Sequence, residues 1–95
     1  MNVEQARFNM IEQQIRPWDV LDAHVLELLA VVKREDFVPP AFRALAFADM
    51  QIPLSDNEAG IAAGQVMLEP RIEARILQDL QVAKHEKVLE IGTGS

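Results

Sequence analysis

The stretch Lys87-Val88-Leu89-Glu90-Ile91-Gly92-Thr93-Gly94-Ser95 decides how the rest of the chain reads. Val88, Leu89 and Ile91 form a short apolar run, bounded by a polar turn on one side and by glycine on the other. Such a run predicts a strand of a parallel sheet, because a strand covered on both faces loses the apolar-polar alternation. The predicted strand runs straight into Gly-Thr-Gly. Glycine reaches positive φ and carries no Cβ, so a strand ending this way brings backbone N–H groups close to a ligand at the carboxyl edge of a doubly wound sheet. On their own, the three residues leave two readings open, a nucleotide-type cofactor turn and a plain turn.

Working back from that corner, the polar turn Ala83-Lys84-His85-Glu86 separates the strand from a helix that Pro70 opens. Ile72, Ile76, Leu77 and Leu80 make its expected buried stripe, with Glu69 and Glu73 at the positive N-terminal end and Arg71 and Arg75 outward. Between Met50 and Met67 no period survives Asp56, Asn57, Glu58, Gly60 and Gly64, which predicts a loop with short strands. Two more helices precede it. The first, Val3 to Ile15, puts Phe8, Ile11 and Ile15 on one face and ends at Pro17; the second is capped by Asp19 and buries Leu21, Val25, Leu28, Leu29 and Val32. Pro39 and Pro40 then allow a short helix through Phe47, with Phe37, Phe42 and Phe47 as core candidates. His24 and His85 read as surface residues, and Trp18 as a half-buried packing residue at a helix junction.

Composition excludes several classes. Among 95 residues there is no cysteine, and two distant histidines suggest no metal cluster, so neither a disulfide scaffold nor a metal enzyme is expected. The net charge of −6 is spread evenly, with five basic against eight acidic residues in positions 1–50 and four against seven in 51–95. Nucleic-acid binding needs clustered Lys and Arg, which are missing. No apolar run approaches the roughly 18 residues that span a bilayer, and the N-terminus lacks the order of a secretory signal. The expectation is a cytoplasmic protein with no membrane partner, and a single unit over 1–95: a helical region, 1–83, followed by the start of a cofactor-binding domain at 87–95. Ending at Gly-Thr-Gly-Ser, the sequence reads as a fragment of something longer.

The string from Val88 to Ser95 resembles the first motif of class I S-adenosylmethionine-dependent methyltransferases. The likeness extends upstream through Ile11-Glu-Gln-Gln-Ile15, Val25-Leu26, Val32-Lys-Arg-Glu-Asp-Phe-Val38, Ala46-Phe-Ala-Asp49, Ile52-Pro-Leu54, Gly64-Gln65 and Glu69-Pro70. In that order, these stretches resemble the N-terminal part of protein-L-isoaspartate O-methyltransferases. The resemblance implies an α/β parent with a Rossmann-like doubly wound sheet, of which this chain is the mainly helical beginning with the first parallel strand at its C-terminus. It further implies methyl transfer from S-adenosyl-L-methionine to the carboxyl group of isoaspartyl residues in damaged proteins or peptides. By the same resemblance Gly92, Thr93 and Gly94 would wrap the methionine portion of the cofactor, and Glu90 would orient that turn or the cofactor ammonium. Glu90 also reads as a solvated strand-end acid.

The substrate side departs from the family. Where the family has Gly-Gln-Thr-Ile-Ser-Gln-Pro, this chain has Gly64-Gln65-Val66-Met67-Leu68-Glu69-Pro70. Leu68 stands at the serine position treated as part of the active site, and a leucine cannot donate to a carboxylate. Gln65 is left as an amide donor to substrate, and Glu69 adds negative charge that would repel an anionic acceptor. The loop from 54 to 64 is longer than usual, and Ser55 is a candidate replacement donor. An aromatic hydroxyl near Phe47 and an acid near Ala48 are also missing. No catalytic residue is assigned.

The competing reading is a divergent S-adenosylmethionine-binding protein with another substrate or no catalysis, and a nicotinamide-dependent oxidoreductase is a third class that shares the glycine corner. The 95-residue chain alone is expected to be inactive. Its unpaired apolar strand also predicts self-association.

Overall fold

The first helix starts where the sequence supplies a cap, the Asn2 side chain accepting from the Gln5 N–H at 3.0 Å. A computed structural model describes residues 2–95. Helix α1, Val3–Met10, widens into a π-helical turn at Ile11–Ile15 and tightens into a 3-10 turn at Arg16–Trp18. The wide turn keeps Ile11 and Ile15 facing inward together, and both are buried with Met10. Phe8, expected beside them, is exposed instead. Pro17 ends the run because it cannot continue the N–H ladder.

Helix α2, Ala23–Val31, is capped by Asp22 and not by Asp19. Asp19 takes the left-handed conformation that closes the preceding turn (φ 58°), so its side chain is no longer placed to cap, and Asp22 accepts from the Val25 N–H at 3.0 Å. Two 3-10 segments follow, Arg34–Phe37 and Pro40–Leu45. Strand β1, Ile52–Pro53, pairs antiparallel with β2, Val66–Met67, with Ile52 opposite Met67 and Pro53 opposite Val66. Between them sits α3, Glu58–Ala62, whose cap Asn57 accepts from the Gly60 N–H at 2.6 Å. Helix α4, Pro70–Leu80, opens at the predicted proline.

The core gathers Met10, Ile11, Ile15, Val20, Val25, Val38, Ala46, Phe47, Ile52 and Ala74, with Phe42 and Leu29 packed against it. Phe37, Leu21, Leu28 and Val32, expected inside, are exposed. The orientation of α4 is the largest reversal. Pro70 and Ala74 are its buried residues, while Ile76, Leu77 and Leu80 face outward. The polar face docks instead: Arg75 donates to the Trp18 carbonyl at 2.9 Å, and the Arg71 guanidinium lies 4.2 Å from the Trp18 ring centre. Gln78 completes the seam, donating to the Asp19 carbonyl at 2.9 Å and accepting from the N–H groups of Leu21 and Asp22. Two arginines expected outward therefore hold the helix to the body. Its stripe is left for a neighbour that these residues do not supply.

The predicted strand at 87–91 does not form either. These residues run without a ladder partner, and Leu89 and Ile91 are almost fully exposed. A strand needs N–H···O=C bonds to an adjacent strand, and among the described residues the hairpin β1–β2 is the sheet. The chain is thus mainly helical with a two-stranded antiparallel hairpin, and among the described residues no strands pair in parallel. Among the described residues no helix is long and apolar enough to cross a membrane.

Candidate functional site

An open groove of about 1250 Å³ runs between α2 and α4, floored by the β1–β2 hairpin and bordered by the C-terminal residues. Glu90, Gly92, Thr93, Gly94 and Leu68 all border it. The two halves read separately from the sequence, glycine turn and altered loop, therefore meet at one place. Gly94 also lies close to Leu54, just beyond β1: it has φ 84°, and a Cβ on it would lie 3.2 Å from Leu54 Cδ1. Gly92, at φ 77°, has nothing within 4 Å of the Cβ position. Both backbone conformations are ones that L side chains rarely adopt. The space over Gly92 is open.

Gln65 is not brought to the groove. Its N–H donates to the Gly60 carbonyl at 3.3 Å, its own carbonyl accepts from the Leu54 N–H at 3.0 Å, and its side chain lies toward Gly60. Ser55, the candidate replacement donor, is turned the same way, with Oγ buried against Gly60 and no hydrogen-bond partner. What the loop offers the groove is apolar: Val66, Met67 and Leu68.

Two charged side chains that sequence reasoning placed elsewhere stand in the groove wall. Arg34 and Glu73 pair at 3.0 Å, with only 10% of the Arg34 side chain exposed. Burial pushes the Glu73 carboxyl above its ordinary range; Arg34 opposes that rise, and nearby Glu90 adds to it by like-charge repulsion. Glu73 and Glu90 thus make an acidic patch beside the glycine turn. Glu73 had read as an acid at the positive N-terminal end of α4, which explained it without a site. Arg34 opens the 3-10 segment that follows α2.

Glycine N–H groups, a paired acidic patch and apolar walls suit an amphipathic ligand with a cationic end. Among the described residues no three His, Asp or Glu side chains group closely enough to hold a metal ion.

Comparison with known proteins covers nearly the whole chain. The family profile described as Protein-L-isoaspartate(D-aspartate) O-methyltransferase (PCMT) matches residues 5–95. A Protein-L-isoaspartate O-methyltransferase of Herpetosiphon aurantiacus is 38% identical over 97% of this chain and 38% of its own length. One from Aeropyrum pernix is 40% identical over 96% of this chain and 32% of its own length. Protein-L-isoaspartate O-methyltransferase 1 of Syntrophobacter fumaroxidans is 37% identical over the full chain and 41% of its own length. The chain spans about a third to two fifths of the length of these curated relatives. On these matches, from Gln5 to the glycine corner, the chain belongs to the protein-L-isoaspartate O-methyltransferase family.

Proposed function

We infer that this chain supplies the acceptor loop and the glycine turn of an S-adenosylmethionine-dependent methyltransferase that esterifies the carboxyl group of isoaspartyl residues in damaged proteins. The observation that carries this reading is the open groove that Gly92, Thr93 and Gly94 border together with Val66, Met67 and Leu68 of the acceptor loop. In this reading Gly92, Thr93 and Gly94 hold the methionine portion of S-adenosylmethionine through backbone N–H groups, and Glu90 faces its ammonium. The unobstructed approach to Gly92 and the carboxylates of Glu73 and Glu90 on the groove wall fit such a group. When bound, the cofactor supplies a methyl group activated on a sulfonium. The chain's own residues orient the acceptor and exclude water, and such positioning and desolvation carry most of an in-line transfer. The parallel methyltransferase sheet, with residues 87–91 as its first strand, belongs to the same reading. Adjoining strands would cover Val88, Leu89 and Ile91, and burying each such side chain contributes roughly 1.5–3 kcal/mol.

A second reading, a cofactor-binding relative with another acceptor or none, is favoured by the loop itself. Val66 and Leu68 carry no hydroxyl, and Ser55 faces its own loop rather than the groove. The test is a family-length protein carrying this sequence, given methyl-labelled S-adenosylmethionine with an isoaspartyl peptide or its aspartyl twin. Label on the isoaspartyl peptide alone establishes the first reading. Cofactor binding with no label on either peptide establishes the second.

A further inference from the structure

Arg34 joins three parts of the chain with one side chain. Its Nε donates to the Ala46 carbonyl at 2.8 Å, Nη1 to Glu73 at 3.0 Å and Nη2 to the Leu68 carbonyl at 2.9 Å. A guanidinium presents its donors in a rigid planar fork, so three such bonds fix the relative placement of their acceptors in a way a lysine cannot reproduce. The acceptors are telling. Ala46 ends the 3-10 segment before β1, Leu68 belongs to the loop proposed to face the acceptor, and Glu73 lies beside Glu90 and the glycine turn. No other side chain is recorded as hydrogen-bonded to the backbone of residues 66–69 among the described residues. The loop's own side chains, Val66, Met67 and Leu68, cannot supply polar anchors.

We propose that Arg34 is a positioning residue for methyl transfer, clamping the acceptor loop by the Leu68 carbonyl at a fixed distance from the glycine turn. The clamp acts on loop backbone, so it serves whichever side chain occupies position 68. It touches neither cofactor nor acceptor and sets acceptor binding through the loop. The proposal rests on the methyltransferase reading above, and its test separates the two.

In a family-length protein carrying this sequence, Arg34→Met is expected to raise KM for an isoaspartyl peptide about ten-fold or more, with affinity for S-adenosylhomocysteine staying within roughly two-fold. Arg34→Lys keeps the charge without the fork and falls between. Arg16→Met, which removes an exposed arginine paired with Glu12 away from the groove, shifts KM by less than about three-fold. A parallel loss of cofactor affinity, or an unchanged KM, overturns the proposal. Should the unsubstituted protein label no isoaspartyl peptide, the methyltransferase reading fails by itself. Arg34 is then judged by amide hydrogen exchange in the 95-residue chain. There Arg34→Met is expected to speed exchange at residues 66–69 by roughly ten-fold with α1 unchanged, whereas uniform acceleration, or none, overturns the clamp.

Discussion

Replacing Arg7 by methionine tests the account of what holds the N-terminal helix to the body. Arg7 is 2% exposed, one of the least exposed charged groups in the core. It forks onto Glu35 at 3.0 and 2.8 Å, reaches the Val32 carbonyl at 3.3 Å and lies 5.2 Å from the Phe47 ring centre. The Glu35 side chain is only 12% exposed, so removing Arg7 strands a carboxylate away from water. Breaking a buried pair from one side costs about 3–5 kcal/mol, because the orphaned charge retains its desolvation penalty. That is a large share of the roughly 5–15 kcal/mol that holds an ordinary domain together. The second partner, Glu4, is 74% exposed, and Glu4→Ala is expected to cost less than about 1 kcal/mol. Arg7 holds the Glu35 carboxyl below its ordinary value of 4.5, chiefly by hydrogen bonding. A carboxyl depressed in the folded state stabilises above its unfolded value, and that stabilisation is lost as pH falls through the folded value. Wild-type stability should therefore drop below about pH 4.5 more steeply than that of Glu35→Gln. Urea unfolding followed by circular dichroism reads both effects. A loss under about 1 kcal/mol for Arg7→Met, or identical acid limbs for wild type and Glu35→Gln, would refute the reasoning.

Three other expectations follow from the geometry. Gly94→Ala puts a Cβ against Leu54 at a positive φ that costs an L residue about 1–2 kcal/mol, which predicts roughly ten-fold weaker S-adenosylhomocysteine binding in a family-length protein by calorimetry. Gln78→Leu removes the three hydrogen bonds joining α4 to the turn at Asp19, and thermal unfolding should show a loss of about 1–2 kcal/mol. Because Ile76, Leu77, Leu80, Val88, Leu89 and Ile91 are all exposed, the 95-residue chain should self-associate at tens of micromolar, and Leu77→Glu with Leu80→Glu should reduce it. Light scattering that finds a strict monomer for the unsubstituted chain would contradict that expectation.

Element positions were more legible in the sequence than their orientation. Pro70 announced α4 because proline suits the first helical position, and the burial of Ile11 and Ile15 followed from spacing. Periodicity names the apolar face of a helix but not the neighbour that covers it. In α4 the docked face is the one carrying Arg71, Arg75 and Gln78, since the Trp18 ring, the carbonyls of Trp18 and Asp19 and the N–H groups of Leu21 and Asp22 offer those side chains partners. Asp19 lost the cap to Asp22 through a backbone conformation that residue type does not reveal. At the site, local pattern picked out the glycine corner and Leu68, which border the groove, while hairpin pairing turns Gln65 toward Gly60. Arg34 escaped notice for a related reason: its partners lie 12 to 39 positions away in sequence, beyond the reach of any local rule.

The most direct test of the central claim, that glycine turn and acceptor loop share one groove for methyl transfer, is a crystal structure of a family-length protein carrying this sequence with S-adenosylhomocysteine bound. The account predicts the ligand's methionine portion against Gly92, Thr93 and Gly94, with its sulfur facing the loop at Leu68. Ligand seated away from the groove between α2 and α4, or a sulfur turned from that loop, would contradict it.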